Sequence, residues 1–220
     1  MSRSPRRPGP RPPDPFADPI ATALVDAIVG LGYEATTVEA VLERSGATRA
    51  EFDARFNGKE DCVQKCFVAY GDDFSWKVRV AYDSEENWPD SLRAAAYAAA
   101  RWLDDHPRTT RFGNLDVLFA ENEMIRVSRE ELFEFQAALI EAGREYAEDP
   151  DAVPEAAALL VIGAIAQLLT QRLVSGAELD TPSMVPQMMY QAVRPYLGEE
   201  RAREELTKPA PELPDYDALM

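Results

Sequence analysis

Apolar residues recur at helical spacing along most of this chain. Ile20, Leu24 and Ile28 mark one face of a first helix. This helix begins near Pro19, because proline suits the first helical position, and it ends at Gly32. The same period recurs in the later segments, and the sequence therefore predicts an all-α fold.

Three helix starts fall between residues 36 and 67. At each start a polar side chain and a carboxylate three residues later have the spacing of a capping box, in which each satisfies a backbone amide. The pairs are Thr36 with Glu39, Thr48 with Glu51, and Asn57 with Glu60. Gly46 lies between the first two helices and can take the positive φ that turns one helix into the next. The pattern predicts a helix-turn-helix, and a three-helix fragment of an unrelated helical domain is the alternative.

The second helix of such a unit, here from about Arg49 to Phe56, is the recognition helix that enters the major groove of DNA. Phe52 and Phe56 lie four residues apart and face inward, so the other side chains face solvent. Arg49 is the best candidate for a base contact because arginine binds guanine bidentately, and Glu51 or Asp53 can accept from cytosine. The predicted DNA-binding residues are Arg49, Ala50, Glu51 and Asp53 at the groove, and Thr37, Thr48, Arg55 and Lys59 at phosphates.

A specific residue pattern lies between residues 18 and 67. It consists of Gly32-Tyr33, Thr36-Thr37-Val38, Arg44-Ser45-Gly46-Ala47-Thr48, Phe52, Phe56 and Lys59-Glu60. This pattern resembles the amino-terminal domain of tetracycline-repressor (TetR) family regulators, and a late Arg194-Pro195-Tyr196-Leu197-Gly198 is similar to the end of many members. Where the family usually has Tyr and then His, this chain has Asp53 and Arg55, so that an acid replaces an aromatic phosphate contact. The resemblance implies a ligand-responsive regulator that dimerises through its last two helices.

Charge is distributed unevenly along the 220 residues, whose net charge is −16. Residues 1–66 hold 9 basic and 10 acidic residues, whereas residues 67–220 hold 14 and 29. An acidic second domain keeps DNA away from everything except the recognition end. Residues 1–17 form a proline-rich arm that is predicted to be disordered and that contains Arg3, Arg6, Arg7 and Arg11. The arm is interpreted as a basic extension along phosphates or into a minor groove, with a solvated tail as the alternative.

The sequence predicts four regions. They are the arm (1–17), a helix-turn-helix DNA-binding domain (18–66), a helical ligand-binding and dimerisation domain (67–198) and an acidic tail (199–220) that need not be ordered. A long helix from Lys59 to about Asp83 joins the two domains and is the natural lever between them. Cys62 and Cys66 on this helix are interpreted as buried apolar residues. A redox or metal switch is the alternative, although consecutive helix turns are poor disulfide geometry.

Aromatic residues of the second domain are candidates for an effector site, with ordinary core packing as the alternative. Their abundance favours a lipophilic or aromatic effector, and the acidic surroundings mildly favour a cationic one. Asn114 and Asp116 either orient this ligand in a mostly apolar pocket or face solvent. The predicted ligand-binding residues are Phe67, Tyr70, Phe74, Tyr97, Trp102, Phe112, Asp116, Phe119 and Phe135.

A later helix, which follows Pro154, is apolar nearly all round and has to be buried on more than one side. A further amphipathic helix opens at Pro182. Two such helices from each of two subunits form a four-helix interface in proteins of the family that the chain resembles, and an intramolecular hairpin is the alternative. The predicted interface residues are Leu159, Gly163, Ala166, Met188, Met189 and Ala192.

Other classes of protein find little support. A single histidine, His106, without a nucleophile, a metal cluster or a phosphate loop indicates neither an enzyme nor a cofactor. The longest apolar run, residues 156–169, is interrupted by Gln167 and too short for a membrane span, so the protein is predicted to be soluble and cytoplasmic. The predicted function is a transcriptional repressor that binds a palindromic operator as a homodimer and is released by a small effector. The alternative is a TetR-like dimer that has lost general DNA binding and serves as a small-molecule or protein-binding module.

Overall fold

The computed structural model describes residues 9–117 and 123–219, which form helices and connecting loops without a strand. The predicted all-α fold is confirmed. The α-helices are α1 (Pro19–Leu31), α2 (Val38–Ser45), α3 (Arg49–Asp53), α4 (Lys59–Asp83), α5 (Trp88–Asp105), α6 (Pro107–Arg111), α7 (Glu123–Glu141), α8 (Ala157–Ser175) and α9 (Val185–Glu205). Short 3₁₀ turns lie at Pro15–Ala17, Ala142–Tyr146, Pro150–Ala152 and Thr181–Met184, and a π-helical segment lies at Phe112–Asp116.

The described residues fall into two compact units. The helix-turn-helix unit contains residues 12–73, 106–117 and 123–130, and the large unit contains residues 9–11, 74–105 and 131–219. The division along α4 lies between residues 73 and 74, whereas the sequence predicted a boundary between residues 66 and 67. Residues 106–117 belong to the helix-turn-helix unit because α6 and the π-helical segment pack against α1.

Helix α1 has the bounds that its apolar spacing predicts. At its start the carboxylate of Asp18 accepts a hydrogen bond from the backbone N–H of Ile20 at 3.0 Å. Ile20, Leu24 and Ile28 are each at most 3% exposed and form the buried face. The helix ends at Gly32, whose φ of 90° favours glycine.

Helix α2 begins one residue later than the predicted capping box requires. Its N-cap is Thr37, whose hydroxyl accepts from the N–H of Ala40 at 3.2 Å. Thr36 is buried and donates instead to the carbonyl of Gly32 at 2.8 Å. The predicted pairing of Thr36 with Glu39 is therefore wrong, because the Thr36 hydroxyl serves to close the preceding turn.

The turn into α3 agrees with the prediction. Gly46 takes the left-handed conformation, with φ of 71°. Thr48 and Glu51 form the predicted capping box, in which the N–H of Glu51 donates to the Thr48 hydroxyl and the N–H of Thr48 donates to the Glu51 carboxylate. Helix α3 spans only five residues and stops short of residue 56, so that Phe56 reaches the core from the next turn and lies 5.0 Å from the ring of Phe52.

Helix α4 starts with a different cap from the one predicted. The N–H of Asn57 donates to the carboxylate of Asp61 at 2.9 Å, so the predicted pairing with Glu60 is wrong by one residue. Cys62 and Cys66 are buried on this helix. A hydrogen bond between them, together with burial, raises the pKa of the Cys66 thiol. A buried thiol that stays protonated is unreactive, which favours the packing interpretation over a redox switch.

The large unit packs around Trp88, which is 2% exposed. Its indole N–H donates to the carbonyl of Leu139 at 3.0 Å, and its ring meets that of Tyr196 edge to face at 5.2 Å. A Cβ atom at Gly143 would lie 2.3 Å from the indole, so only glycine fits there. Tyr196 also donates to the carboxylate of Glu141 at 2.9 Å, which joins α9 to the end of α7.

The C-terminal segment packs against the large unit. Helix α9 continues to Glu205, which is 2% exposed and accepts from Arg93 Nε at 2.9 Å and from Lys208 Nζ at 2.6 Å. Leu213 packs on an alanine cluster of α4 and α5 that includes Ala94. The described part of the predicted acidic tail, residues 199–219, is therefore packed through these residues.

By length and composition alone, α8 is long and apolar enough to cross a membrane. Its most apolar stretch of 18 residues has a mean hydropathy of 1.7, and 33% of that stretch is buried. The sequence prediction that this run is too short is wrong on length, because the helix continues past residue 169 to Ser175. A helix whose exposed face is covered by another subunit has the same composition.

Candidate nucleic-acid interface

The predicted DNA-binding residues lie at or near α3, on the exposed side of the helix-turn-helix unit. Phe52 is buried, whereas Arg49, Ala50, Glu51 and Asp53 are all exposed. The apolar residue anchors the short helix, and its other side chains project into solvent. This is the arrangement that a recognition helix requires.

Arg49 is held by carboxylates of its own chain. Its Nε donates to both oxygens of Asp53, at 2.9 and 3.0 Å, and its Nη1 lies 3.4 Å from Oε1 of Glu39. The Arg49 side chain nevertheless remains 60% exposed. Its charge is thus partly neutralised, while one edge of the guanidinium faces solvent.

The Glu51 carboxylate caps the start of α3 and is therefore already hydrogen-bonded within the chain. Its Oε2 accepts from both the N–H and the hydroxyl of Thr48, each at 2.7 Å. These hydrogen bonds lower the pKa of the Glu51 carboxyl. Thr37 and Thr48 likewise use their hydroxyls to cap helices, so all three residues shape the surface on which Arg49 lies.

Arg55 forms an ion pair with Asp18, the N-cap of α1, and its guanidinium lies 4.8 Å from the ring of Phe56. Burial by itself would raise the pKa of Asp18, but hydrogen bonds from Arg55 and from the N–H of Ile20 outweigh it, so the pKa is lowered. The predicted phosphate ligand Arg55 is therefore engaged in joining the end of α3 to α1.

Lysines at the start of α4 are engaged in a similar way. Lys59 Nζ donates to the backbone carbonyl of Tyr33 at 3.0 Å and lies 4.6 Å from the centre of the Tyr33 ring. Lys65, which the sequence analysis did not include, donates to the carbonyl of Arg55 at 2.8 Å and to Asp61 at 2.9 Å. The hydrogen bond from Lys65, followed by that from the N–H of Asn57, lowers the pKa of Asp61.

Arg44 is a second cation that the sequence analysis did not include among the DNA-binding residues. It lies in the last turn of α2, is exposed, and donates to the carbonyl of Ala40 at 3.0 Å. Among the described residues it has no carboxylate within ion-pair distance. It borders a groove of about 340 Å³ whose lining also includes Asp26. Its position in the last turn of the first helix of the motif is the signal that could have identified it.

The basic arm is described from Gly9 onward, and Arg3, Arg6 and Arg7 lie outside the described residues. Arg11 pairs with Asp217 at 2.8 Å and lies 5.6 Å from the ring of Trp76. The indole N–H of Trp76 donates to the carbonyl of Gly9 at 3.0 Å. The last part of the arm is therefore attached to the large unit.

The predicted effector residues are divided between the two units. In the helix-turn-helix unit Phe67, Tyr70 and Phe112 are buried, and the rings of the last two lie 6.4 Å apart. In the large unit the rings of Phe74 and Trp102 meet edge to face at 5.3 Å. Tyr97 is buried, Phe135 is half-buried, and Phe119 lies outside the described residues.

Asp116 is largely withdrawn from solvent. It ends the π-helical segment, in which the N–H of Val117 donates to the carbonyl of Phe112 at 3.1 Å. The Asp116 side chain is 12% exposed, and its Oδ2 lies 3.3 Å from Nε of Arg111 but accepts no hydrogen bond from the described residues. Burial raises the pKa of Asp116, against the opposing effect of Arg111. Asn114 donates to the carbonyl of Thr110, so it is engaged locally.

The predicted dimer residues separate into exposed and buried sets. Helix α8 presents large exposed side chains, with Leu159 60%, Leu160 69% and Val174 66% exposed. Gly163 lies on the same exposed face, and Ala166 and Met188 are half-buried. Met189 and Ala192 are at most 4% exposed within the single chain, so they belong to the core of the large unit and not to the exposed face.

No protein-family model matches the chain, and no curated protein matches it at a significant level. Solved structures do match. FadR, the fatty acid degradation regulator of Bacillus halodurans, has a TM-score of 0.70 at 17% identity over 80% of this chain and 97% of that chain. FadR of Bacillus subtilis, solved in complex with stearoyl-CoA, has a TM-score of 0.70 at 16% identity over 80% and 96%. A TetR family transcription regulator of Marinobacter aquaeolei has a TM-score of 0.62 at 16% identity over 82% of this chain and 97% of that chain. The chain therefore has the all-α fold of TetR-type transcriptional regulators.

Proposed function

We propose that this protein is a ligand-responsive, DNA-binding transcriptional repressor of the TetR type, which acts in the cytoplasm as a homodimer on a palindromic operator. One observation carries the proposal: α3, the second helix of the helix-turn-helix, holds Arg49 on an exposed face, and the second helix of this motif is the one that enters the major groove. Arginine in a major groove can bind guanine bidentately. Arg49, the residue type that best discriminates between bases, is thus exposed on the helix that would enter the groove.

The exposed apolar face of α8 supports a dimer. Leu159, Leu160 and Val174 are each at least 60% exposed and lie on one helix. An exposed apolar face is typical of a protein-protein contact surface. An isologous interface through this face brings two recognition helices onto one DNA molecule, which is what a palindromic operator requires.

The effector is proposed to be a small lipophilic or aromatic compound. Within the helix-turn-helix unit the buried aromatic residues Phe67, Tyr70 and Phe112 supply apolar surface. Asp116 of the same unit offers a largely buried carboxylate whose Oδ2 lies 3.3 Å from Nε of Arg111. That carboxylate suits a ligand with a cationic or hydrogen-bond-donating group. The stearoyl-CoA bound by FadR of Bacillus subtilis makes an acyl-CoA the second class to test. Preferential binding to the form that does not bind DNA would release the operator.

Fluorescence anisotropy tests the DNA-binding proposal. The purified protein is titrated against DNA from upstream of its own coding region and against the products of a selection from random DNA. Arg49→Ala is compared with Arg201→Ala, because each arginine is at least 60% exposed and pairs with a carboxylate on its own helix. We expect Arg49→Ala to reduce affinity for the selected site by about 10-fold or more, and Arg201→Ala to leave it unchanged. Equal effects of the two substitutions would contradict the proposal.

Thermal unfolding with two probes tests the effector proposal. Stearoyl-CoA represents an anionic acyl effector and tetraphenylphosphonium a lipophilic cation. We expect the cation to raise the unfolding temperature of the wild-type protein more than that of Asp116→Asn, because the substitution removes the charge and keeps the shape. Stabilisation by stearoyl-CoA alone would assign the effector to the acyl-CoA class, and stabilisation by neither probe would contradict a lipophilic effector.

A second candidate function has its own observation. Arg49 and Arg55 both pair with acids of the chain, which reduces the positive charge that phosphates can meet. This favours a TetR-like dimer that has lost general DNA binding and serves as a small-molecule or protein-binding module. A protein that sediments as a dimer and selects no sequence from random DNA, even at low salt, would establish this candidate and exclude the repressor.

A further inference from the structure

The acid at position 53 is directed at the candidate base-reading residue. Both Asp53 oxygens lie within hydrogen-bond distance of Nε of Arg49, at 2.9 and 3.0 Å, across one turn of α3. The two side chains are 51% and 60% exposed, so the pair lies on the surface that would face DNA. Asp53 is thus more than a negative charge near a groove, because its carboxylate has a defined partner.

The contact uses only one edge of the guanidinium. Arginine has five N–H donors, one at Nε and four at the two terminal nitrogens. Asp53 occupies the Nε donor, Glu39 is 3.4 Å from Nη1, and no described residue bonds to Nη2. The two terminal nitrogens carry four N–H donors and the contact with Glu39 engages one of them, so an N–H on each terminal nitrogen remains available for the O6 and N7 acceptors of a guanine.

We infer that Asp53 is a positioning residue, which holds Arg49 in the orientation that reads a guanine. The inference rests on the proposed function. A free arginine side chain has many rotamers, and binding a base in one of them costs conformational entropy. An arginine already held by Asp53 has lost much of that freedom before DNA arrives. The expected gain in discrimination is about 3- to 10-fold.

The same pair limits binding to the wrong sequences. The carboxylate neutralises Arg49 and repels neighbouring phosphates, so contacts that do not require a particular base are weakened. The guanine contact then makes up a larger share of the total affinity. Specificity is a ratio of affinities, and it rises when the non-specific term falls.

The experiment begins with a site selected by the wild-type protein from random DNA. Dissociation constants are measured by anisotropy for this site and for its single-base variants at constant salt. Arg49→Ala identifies the base pair that Arg49 reads, as the one whose preference disappears. The test variants are Asp53→Ala, Asp53→Glu and the double variant Arg49→Ala/Asp53→Ala. Glu43→Ala is the control, because Glu43 is an exposed acid on α2 with no ion pair among the described residues.

We expect Asp53→Ala to reduce discrimination about 3- to 10-fold at the base pair read by Arg49 and to leave the other positions unchanged. Asp53→Glu should restore most of the loss, because a longer carboxylate can still accept from Nε. In the Arg49→Ala background Asp53→Ala should have no further effect on base preference. Glu43→Ala should change affinity equally for all sequences.

Two outcomes would overturn the inference while leaving the proposed function in place. A uniform rise in affinity for all sequences in Asp53→Ala, with base preference intact, would show that the acid only opposes phosphate binding. A loss at a second base pair that persists in the Arg49→Ala background would show that Asp53 reads a base directly. A wild-type protein that selects no sequence would instead overturn the proposed function, and the inference with it.

Discussion

The surface around α3 and the surface of α8 differ in whether their side chains already have partners within the chain. Around α3 the exposed cations already have partners in the same chain, as Arg49 has in Asp53 and Arg55 in Asp18. On α8 the exposed leucines Leu159 and Leu160 have most of their surface in solvent. One surface has polar groups with internal partners, and the other has apolar groups that are still exposed.

The difference indicates what each surface would contribute to the proposed DNA binding. Burying apolar area is favourable wherever a complementary apolar face is found, by about 25 cal/mol per Å². A phosphate near α3 meets arginines that are already paired with carboxylates, so the net gain in free energy is smaller, and the guanine contact of Arg49 depends on the sequence. We therefore expect dimerisation to supply most of the affinity and α3 to supply most of the selection.

The largest expected effect is at α8. Leu160→Glu places a charge on a side chain that is 69% exposed and that we assign to the dimer interface. Because a charge buried at an apolar contact is strongly unfavourable, the dimer should dissociate. Loss of the second recognition helix should then weaken operator binding by about 100-fold or more. Sedimentation velocity measures the dimer and anisotropy measures the operator affinity.

Leu206→Glu is the matched control for this substitution. Leu206 is an exposed leucine of the large unit, 44% exposed, and lies outside the face assigned to the dimer. It should leave both the sedimentation coefficient and operator affinity unchanged. A Leu160→Glu protein that remains dimeric would assign the interface to another surface.

The next largest effect concerns the arm. Deletion of residues 1–7 removes Arg3, Arg6 and Arg7. The negative slope of log affinity against log salt should become shallower by about 0.9 for each phosphate that the arm no longer neutralises. Arg11→Ala should leave the slope unchanged, since Arg11 is already paired with Asp217. A shallower slope in Arg11→Ala would show that Arg11 leaves Asp217 and binds a phosphate.

Several features of the candidate DNA-binding surface could be predicted from the sequence because they depend on local rules. The start of α1, the glycine turn at Gly46 and the Thr48 capping box each involve residues within four positions of one another. The cap of α2 was missed because Thr36 and Thr37 both suit an N-cap, and only packing decides which of them is buried.

The partners of the cations were not predictable in the same way. The pairing of Arg55 with Asp18 joins residues 37 positions apart, and no spacing rule brings them together. The π-helical turn that carries Asp116 also has no local sequence signal. Met189 and Ala192 have the helical spacing of an interface, but the same spacing describes the core face on which they lie. Periodicity identifies an apolar face without identifying what covers it.

A smaller effect is expected at the ion pair that joins α3 to α1. Asp18→Asn keeps a capping side chain but removes the charge that pairs with Arg55. The lowered pKa of Asp18 means that its stabilising effect is present above the pKa of the unfolded chain and is lost as the pH falls. The substitution should lower the free energy of unfolding by about 0.5–1 kcal/mol at pH 7 and by less at pH 3. Urea unfolding at the two pH values measures this difference, and an equal loss at both would assign the effect to capping.

The smallest effect is expected at an acid that has no partner to lose. Glu43 is exposed on α2, and no described residue pairs with it, in contrast to Asp53. Glu43→Gln should raise affinity for random DNA by only about 2-fold, because salt largely screens the interaction of an exposed charge with phosphates that it does not contact. The gain should disappear when anisotropy is repeated at high salt, and base preference should not change. A gain that depends on sequence would place Glu43 in the groove beside Arg49, and the unpaired acids would then share in selection with the paired ones.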